Sequence, residues 1–177
     1  MIIKKVKRRK SNNFTSFSHS LSEKIQQILH ARGVKSDSDL NYQLKHLLPF
    51  TNLKNINQAA ACLFDAIKDD KQILIVGDFD ADGATSSAVM IKSLKSFGAK
   101  HVGFLVPDRF KFGYGLSVKL VEHAATLNPD LIVTVDNGIA NIEGVDKANH
   151  LGIPVIITDH HLAADTLPEA LAIVNPN

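Results

Sequence analysis

The chain has a single Cys, Cys62, and no Trp. One thiol excludes an internal disulfide framework and any Cys-rich zinc site. Long hydrophobic runs are also missing: none reaches the ~18 apolar residues of a membrane helix. Charge of one sign is scarce, with 20 Lys+Arg against 18 Asp+Glu over 177 residues, a net +2. Aromatics make up only 6%. Yet 45% of the residues are apolar, too many for a disordered chain and enough for a packed domain of ordinary size.

The near-zero net charge hides a division. Lys4, Lys5, Lys7, Arg8, Arg9 and Lys10 precede the first acid, Glu23, so residues 1–22 are +6 and the remainder is −4. Residues 1–19 read as a basic flexible tail, a solvated segment in its plain reading and a phosphate-seeking arm in its functional one. No apolar core comes after the charges, so the segment does not read as a secretory signal. With one Cys and no export signal, the expected location is cytoplasmic.

Residues 20–70 read as a small helical lead-in. Ser20 or Ser22 can cap a helix carrying Leu21, Ile25, Ile28 and Leu29 that ends at Gly33. A second helix is expected over Leu40, Leu44, Leu47 and Leu48, stopped by Pro49. A third starts near Asn57, with Ala60, Leu63, Phe64 and Ile67 on one face. Cys62 falls in its Ala-rich pattern and reads as a buried structural residue.

From residue 71 the texture changes. Short apolar runs occur at 73–77, 102–106, 131–135, 155–157 and 172–174, rich in Val and Ile, as strands buried on both faces are. Helical patterns lie between them at 84–97, 117–126 and 143–150. Strand alternating with helix predicts an α/β fold, a parallel sheet with flanking helices and right-handed crossovers. Ligands of such sheets bind at the carboxyl ends of the strands. Chemistry is therefore expected in the residues immediately after each run.

Asp78-Phe79-Asp80-Ala81-Asp82-Gly83 comes after the first run. Pro107-Asp108-Arg109 and Gly113-Tyr114-Gly115 come after the second, Asp136-Asn137-Gly138 after the third, and Asp159-His160-His161 after the fourth. A lone Asp after a strand is commonly a helix N-cap, and Asp82 can cap a helix starting near Ala84. His160-His161 alone can be a surface pair. Five acids converging with imidazoles on one edge need cations among them. Oxygen ligands with adjacent imidazole suit Mn²⁺ or Mg²⁺. An EF-hand reading of Asp78–Gly83 fails, because its twelfth position is Val89 and a strand precedes it. A phosphatase reading with Asp80 as nucleophile and Asp82 as acid leaves Asp78, His160 and His161 without work. Gly113–Gly115, ahead of a helix start, can cradle a phosphate or be an ordinary glycine turn. Phe110, Phe112 and Tyr114 can stack on bases, and core packing is equally open to the two Phe.

These four motifs, in this order, resemble the DHH phosphoesterase superfamily, and within it the single-stranded-DNA-specific exonucleases. The likeness runs over residues ~20–177. It implies a Rossmann-like DHH domain over 71–177 and metal-dependent phosphodiester hydrolysis, 5′→3′ on single-stranded DNA, in recombination and repair. It implies two Mn²⁺ or Mg²⁺ ions held by Asp78, Asp80, Asp82, Asp136 and His160, with Asp136 bridging. Catalytic roles fall to Asp136, His160, His161 and Arg109, and phosphate or DNA contacts to Arg109, Gly113, Tyr114, Gly115 and His161. Asp159 is expected to orient a His ring. Single-stranded DNA is the implied partner, with other repair proteins beside it. Members of this branch continue with a further metal-binding Asp, a second α/β domain and an oligonucleotide-binding fold. The DHH domain is therefore expected to be incomplete at Asn177. Two further readings stay open: a phosphodiesterase for short oligonucleotides or cyclic dinucleotides, and a catalytically incomplete metal- or DNA-binding module.

Overall fold

A computed structural model of the chain describes residues 16–17 and 20–177. The basic run at 4–10 lies outside the described residues. The chain divides into two compact units, 1–48 and 49–177. In the first, helix α1 (Glu23–His30) starts after Ser22. Its one buried residue is Gln26, whose Oε1 accepts from Ser16 Oγ and the Phe17 amide and whose Nε2 donates to Leu21 O. The helix expected over Leu40–Leu48 does not form. Two short 3₁₀ turns, Asp37–Leu40 and Leu44–His46, stand there instead. Ser36 and Asp39 close a capping box around the first turn, and Asn41 and Gln43 are extended. Leu44, Leu47 and Leu48 are exposed, so the apolar period there has no core to bind it into a helix.

The second unit is a five-stranded, all-parallel sheet, as expected. After a 3₁₀ turn at Phe50–Asn52 comes helix α2 (Ile56–Lys68), and the remaining elements run as β1 (Ile73–Val76), α3 (Ala81–Ser96), β2 (Val102–Leu105), α4 (Arg109–Phe112), α5 (Val118–Ala125), β3 (Leu131–Val135), α6 (Ile142–His150), β4 (Val155–Thr158) and β5 (Ala172–Val174). The strand order is β2-β1-β3-β4-β5. β1 and β3 are buried along their whole length, which explains why their sequences do not alternate. One face of the sheet, with Ile73, Ile75, Val133 and Ile156, packs against Ala59 and Ala66 of α2 and Leu94 of α3. Cys62 is only half-buried against this layer, less than its pattern suggests. The other face, with Leu74, Val76, Ile132 and Ile157, packs against Leu120 and Val121 of α5 and Val145 and Ala148 of α6. No helix among the described residues is long and apolar enough to cross a membrane.

α3 starts three residues earlier than the pattern suggests. Asp80, not Asp82, is its N-cap, and Asp80 Oδ1 accepts from the Gly83 amide at 3.0 Å. Asp82 therefore sits in the first helical turn. This order of strands has its topological switch between β1 and β3, the place where such sheets open a crevice.

Candidate metal centre

Asp78 and Asp80 leave β1, and Asp136 leaves β3, so the switch point is lined by carboxylates. Asp78 is buried, and its Oδ1 accepts from the Phe79 amide at 2.7 Å. The Gly83 amide, and then a hydrogen bond with Asp82, hold the Asp80 carboxyl below the usual carboxylate range.

Asp136 is the centre of the cluster. It adopts a left-handed backbone, φ 64°, which Asp tolerates better than most residues but which still costs energy. Its amide donates to Thr158 O at 3.0 Å, tying the turn to β4. Oδ1 lies 2.9 Å from His160 Nε2. Oδ2 is buried with no hydrogen-bond partner. Burial, and then the charges of Asp82 and Asp80, push the Asp136 carboxyl up, with His160 opposing. A buried carboxylate oxygen without a partner, faced by other carboxylates, is where a cation relieves the largest penalty.

Two groups of ligand atoms form here, each within 4.8 Å: Asp78, Asp80 and Asp136, and Asp136, His160 and His161. Asp136 belongs to both. The donor set, carboxylate oxygen with imidazole nitrogen, fits Mn²⁺ and, on the oxygen side, Mg²⁺. Asp82 stays at the rim with an exposed side chain, its Oδ2 3.8 Å from His160 Nε2.

Asp159 organises the second loop. Its Oδ1 accepts from the His160 amide, the His161 amide and His161 Nδ1 at 2.7, 3.1 and 2.7 Å. Oδ2 accepts from the Ile139 amide at 2.9 Å. Burial pushes this carboxyl up, but the four donors outweigh it and hold it below its ordinary value. The ring that Asp159 orients is that of His161, whose pKa the same bond raises. With Nδ1 engaged by Asp159, Nε2 turns toward the Tyr114 loop and lies 3.5 Å from the Tyr114 hydroxyl.

The loop after β2 reaches the centre through rings. The Arg109 guanidinium lies 4.5 Å from the Phe79 ring centroid. Phe79 meets Tyr114 edge-on at 6.3 Å, and Tyr114 meets His161 edge-on at 6.1 Å. Sequence reasoning gives Phe79 no role, although its place between two motif Asp residues is a signal. Phe112 stacks on His123 and is half-buried against the core, whereas Phe110 is almost fully exposed. Gly113 and Gly115 both have positive φ. The Leu116 amide, however, is taken by Asn141 Oδ1 at 3.1 Å, and the Leu120 amide by Ser117 Oγ at 3.2 Å. The loop thus presents fewer free amides than its glycines suggest.

Tyr114 senses all this charge. Burial, and then the carboxylates of Asp78, Asp159, Asp136 and Asp80, push its phenol up to about 12. In a Tyr42→Phe variant, which leaves one Tyr, ultraviolet titration in chelator should show the phenol still mostly protonated at about pH 11, where a free tyrosine is about nine-tenths ionised. Added divalent cation should lower the midpoint. A midpoint near 10 without metal would contradict the carboxylate crowding.

A model of the DHH family, N-terminal domain, matches residues 72–177. The single-stranded-DNA-specific exonuclease RecJ of Escherichia coli (strain K12) is 44% identical over 172 residues, which is 97% of this chain and 30% of the relative. RecJ of Thermus thermophilus is 38% identical over 143 residues, 80% of this chain and 20% of the relative. A crystal structure of exonuclease RecJ bound to manganese superposes with a TM-score of 0.66 at 37% identity, covering 73% of this chain and 33% of that one. The crystal structure of Thermus thermophilus RecJ in complex with Mn²⁺ gives 0.62 at 35% identity, covering 83% and 20%. The chain spans about 30% of the length of the Escherichia coli relative it matches.

Proposed function

The chain belongs to the DHH family, and from that premise we propose that it is the metal-binding lobe of an exonuclease specific for single-stranded DNA, working 5′→3′ in the cytoplasm during recombination and repair. The observation that carries this reading is the buried, unpartnered Oδ2 of Asp136, placed where two groups of ligand atoms meet. The manganese-bound relatives support the same metal.

Asp78, Asp80, Asp136 and His160 would hold the cations, Mn²⁺ or Mg²⁺, with Asp136 shared between them. Bound there, a pair of divalent ions supplies the positive charge that draws in a phosphodiester and makes a water acidic enough to attack it. The chain's own groups do the rest. Asp82, at the rim, steadies His160. Asp159 fixes the His161 ring so that Nε2 faces the substrate phosphate. Arg109, held over the Phe79 ring, has its planar fork free to pair with a phosphate. Tyr114 offers its hydroxyl beside the His161 ring, within reach of a bound strand. Gly113 and Gly115 let the backbone approach the strand, and exposed Phe110 is the ring available to a base. Other repair proteins are the expected company of such a lobe.

The test is direct. The purified chain should take up Mn²⁺ and bind labelled single-stranded DNA in preference to duplex, and any release of mononucleotides from the 5′ end should require Mn²⁺. Asp136→Ala should abolish both the release and Mn²⁺ uptake in calorimetry. Equal release by Asp136→Ala, or release undiminished by chelator, would overturn the assignment.

A further inference from the structure

His160 and His161 occupy an exposed loop. Their side chains are 59% and 46% accessible, and no regular structure comes after them until β5. Asp136 and Asp159 meet the two rings at one nitrogen each, and the backbone beneath the rings must be held as well for those bonds to keep their geometry. Asp159 holds that backbone on its N–H side, through the His160 and His161 amides.

The C=O side is held from another part of the chain. β5 pairs with β4 so that Val174 stands beside Thr158, and the Asp159 amide donates to Val174 O at 3.1 Å. This brings the residues after β5 alongside the histidine loop. Asn175 Nδ2 donates to His161 O at 3.0 Å. Asn177 Nδ2 donates to His160 O at 2.5 Å and lies 3.4 Å from His161 O. The Asn177 amide in turn donates to Asn175 Oδ1 at 2.8 Å, so the two side chains are arranged together before they reach the loop. Both contacts need a donor, which an Asn side chain has and an Asp side chain lacks.

We propose that Asn175 and Asn177 are positioning residues of the metal centre, whose side-chain amides grip the His160 and His161 carbonyls and so set the direction of both imidazoles. The inference rests on the cation-centre reading above. It places the end of β5, which contributes no ligand, in control of the histidine half of the site. Outer contacts of this kind, when removed, cost a metal site about 10–100-fold in affinity.

The experiment compares the wild-type chain with Asn175→Ala/Asn177→Ala, the single Asn177→Ala, Asn149→Ala and Asp136→Ala. Asn149 Nδ2 holds Glu169 O at 2.9 Å, on the same β4–β5 connection but away from the histidines, so its loss loosens that connection alone. Two quantities are read: hydrogen exchange of the His160 and His161 amides in chelator, and Mn²⁺ affinity by calorimetry. The double variant should exchange those amides at least about 10-fold faster and bind Mn²⁺ about 10-fold more weakly. Asn149→Ala should change neither. The single Asn177→Ala should shift both in the same direction by less, and it serves if the double variant does not fold. Unchanged exchange and affinity in a folded Asn variant would overturn the proposal while Asp136→Ala, losing Mn²⁺, leaves the cation centre standing. A wild-type chain that takes up no Mn²⁺ would count against the cation centre instead, and the amide exchange alone would then decide the clamp.

Discussion

Asp136→Asn should give a chain that is more stable in chelator and binds Mn²⁺ far more weakly. Asn keeps the oxygen that faces His160 Nε2, and it tolerates the left-handed backbone at φ 64°. It replaces the buried, unpartnered Oδ2 with an N–H donor. Asp80, whose carboxylate lies within hydrogen-bonding reach of position 136, can accept from it. Satisfying a buried polar group is worth about 1–3 kcal/mol, and each kcal/mol is about 2–4 °C of melting temperature in a chain of this size. The gain has a pH signature. Burial and two neighbouring carboxylates raise the Asp136 pKa above its ordinary 3.8, so the folded chain binds this proton more tightly than the unfolded one. Its contribution is intact below the ordinary value and is lost as pH rises through the raised one. The advantage of the Asn variant should therefore be larger at pH 7 than at pH 4. Affinity should fall by about 100-fold or more, at or beyond what losing a ligand's outer partner costs, because Asp136 itself belongs to both ligand groups. Thermal melts in chelator with Mn²⁺ calorimetry check both halves. A less stable variant, or one that binds Mn²⁺ like wild type, would refute the role given to Asp136.

Gly83→Ala should be costly although helix propensity favours it. Ala in a helix interior is better than Gly by about 1 kcal/mol. At Gly83, however, a Cβ would lie 2.5 Å from the Asp78 carbonyl oxygen and 2.7 Å from its Cα. All the obstructing atoms are backbone, at the end of a buried strand, and they have nowhere to go. Relief requires the start of α3 to lift from the end of β1, which displaces the Asp80 cap and Asp78 together. Overpacking typically costs about 1–3 kcal/mol. The expected result is a lower melting temperature accompanied by lost Mn²⁺ uptake. A variant that melts higher, as propensity alone predicts, would show that the close approach does not exist.

Much of this is legible in the chain itself. The runs expected at 73–77, 131–135, 155–157 and 172–174 are strands at or within a residue of those limits, because continuous Val- and Ile-rich segments suit only strands covered on both faces. The Asp and His residues after those runs are expected at one edge because parallel strands end on the same side. The start of α3 departs from expectation for a local reason. Asp80 and Asp82 are equally good caps in composition, and only the position of the Gly83 amide chooses between them. The Leu40–Leu48 period departs for a non-local one, since an amphipathic pattern forms a helix only where a surface receives its apolar side. The helix grouped by sequence with the lead-in, Ile56–Lys68, packs on the sheet of the second unit, a matter of contact rather than of order along the chain.

Asn141, Asn175 and Asn177 carry no sequence signal at all. Each is a polar residue in a loop, indistinguishable in sequence from a solvated one. What the sequence by itself determined is the periodicity of burial and the kind of chemistry carried at each strand end, because both depend on side chains a few residues apart. Which of those ends meet was decided by the tertiary structure alone. The order β2-β1-β3-β4-β5 sets Asp136 between Asp78 on one side and His160 on the other, and the pairing of β5 with β4 carries Asn175 and Asn177 to the histidine carbonyls. Hydrogen bonds and ligand shells act over about 3 Å, and contacts that short between distant segments are fixed by strand order and register.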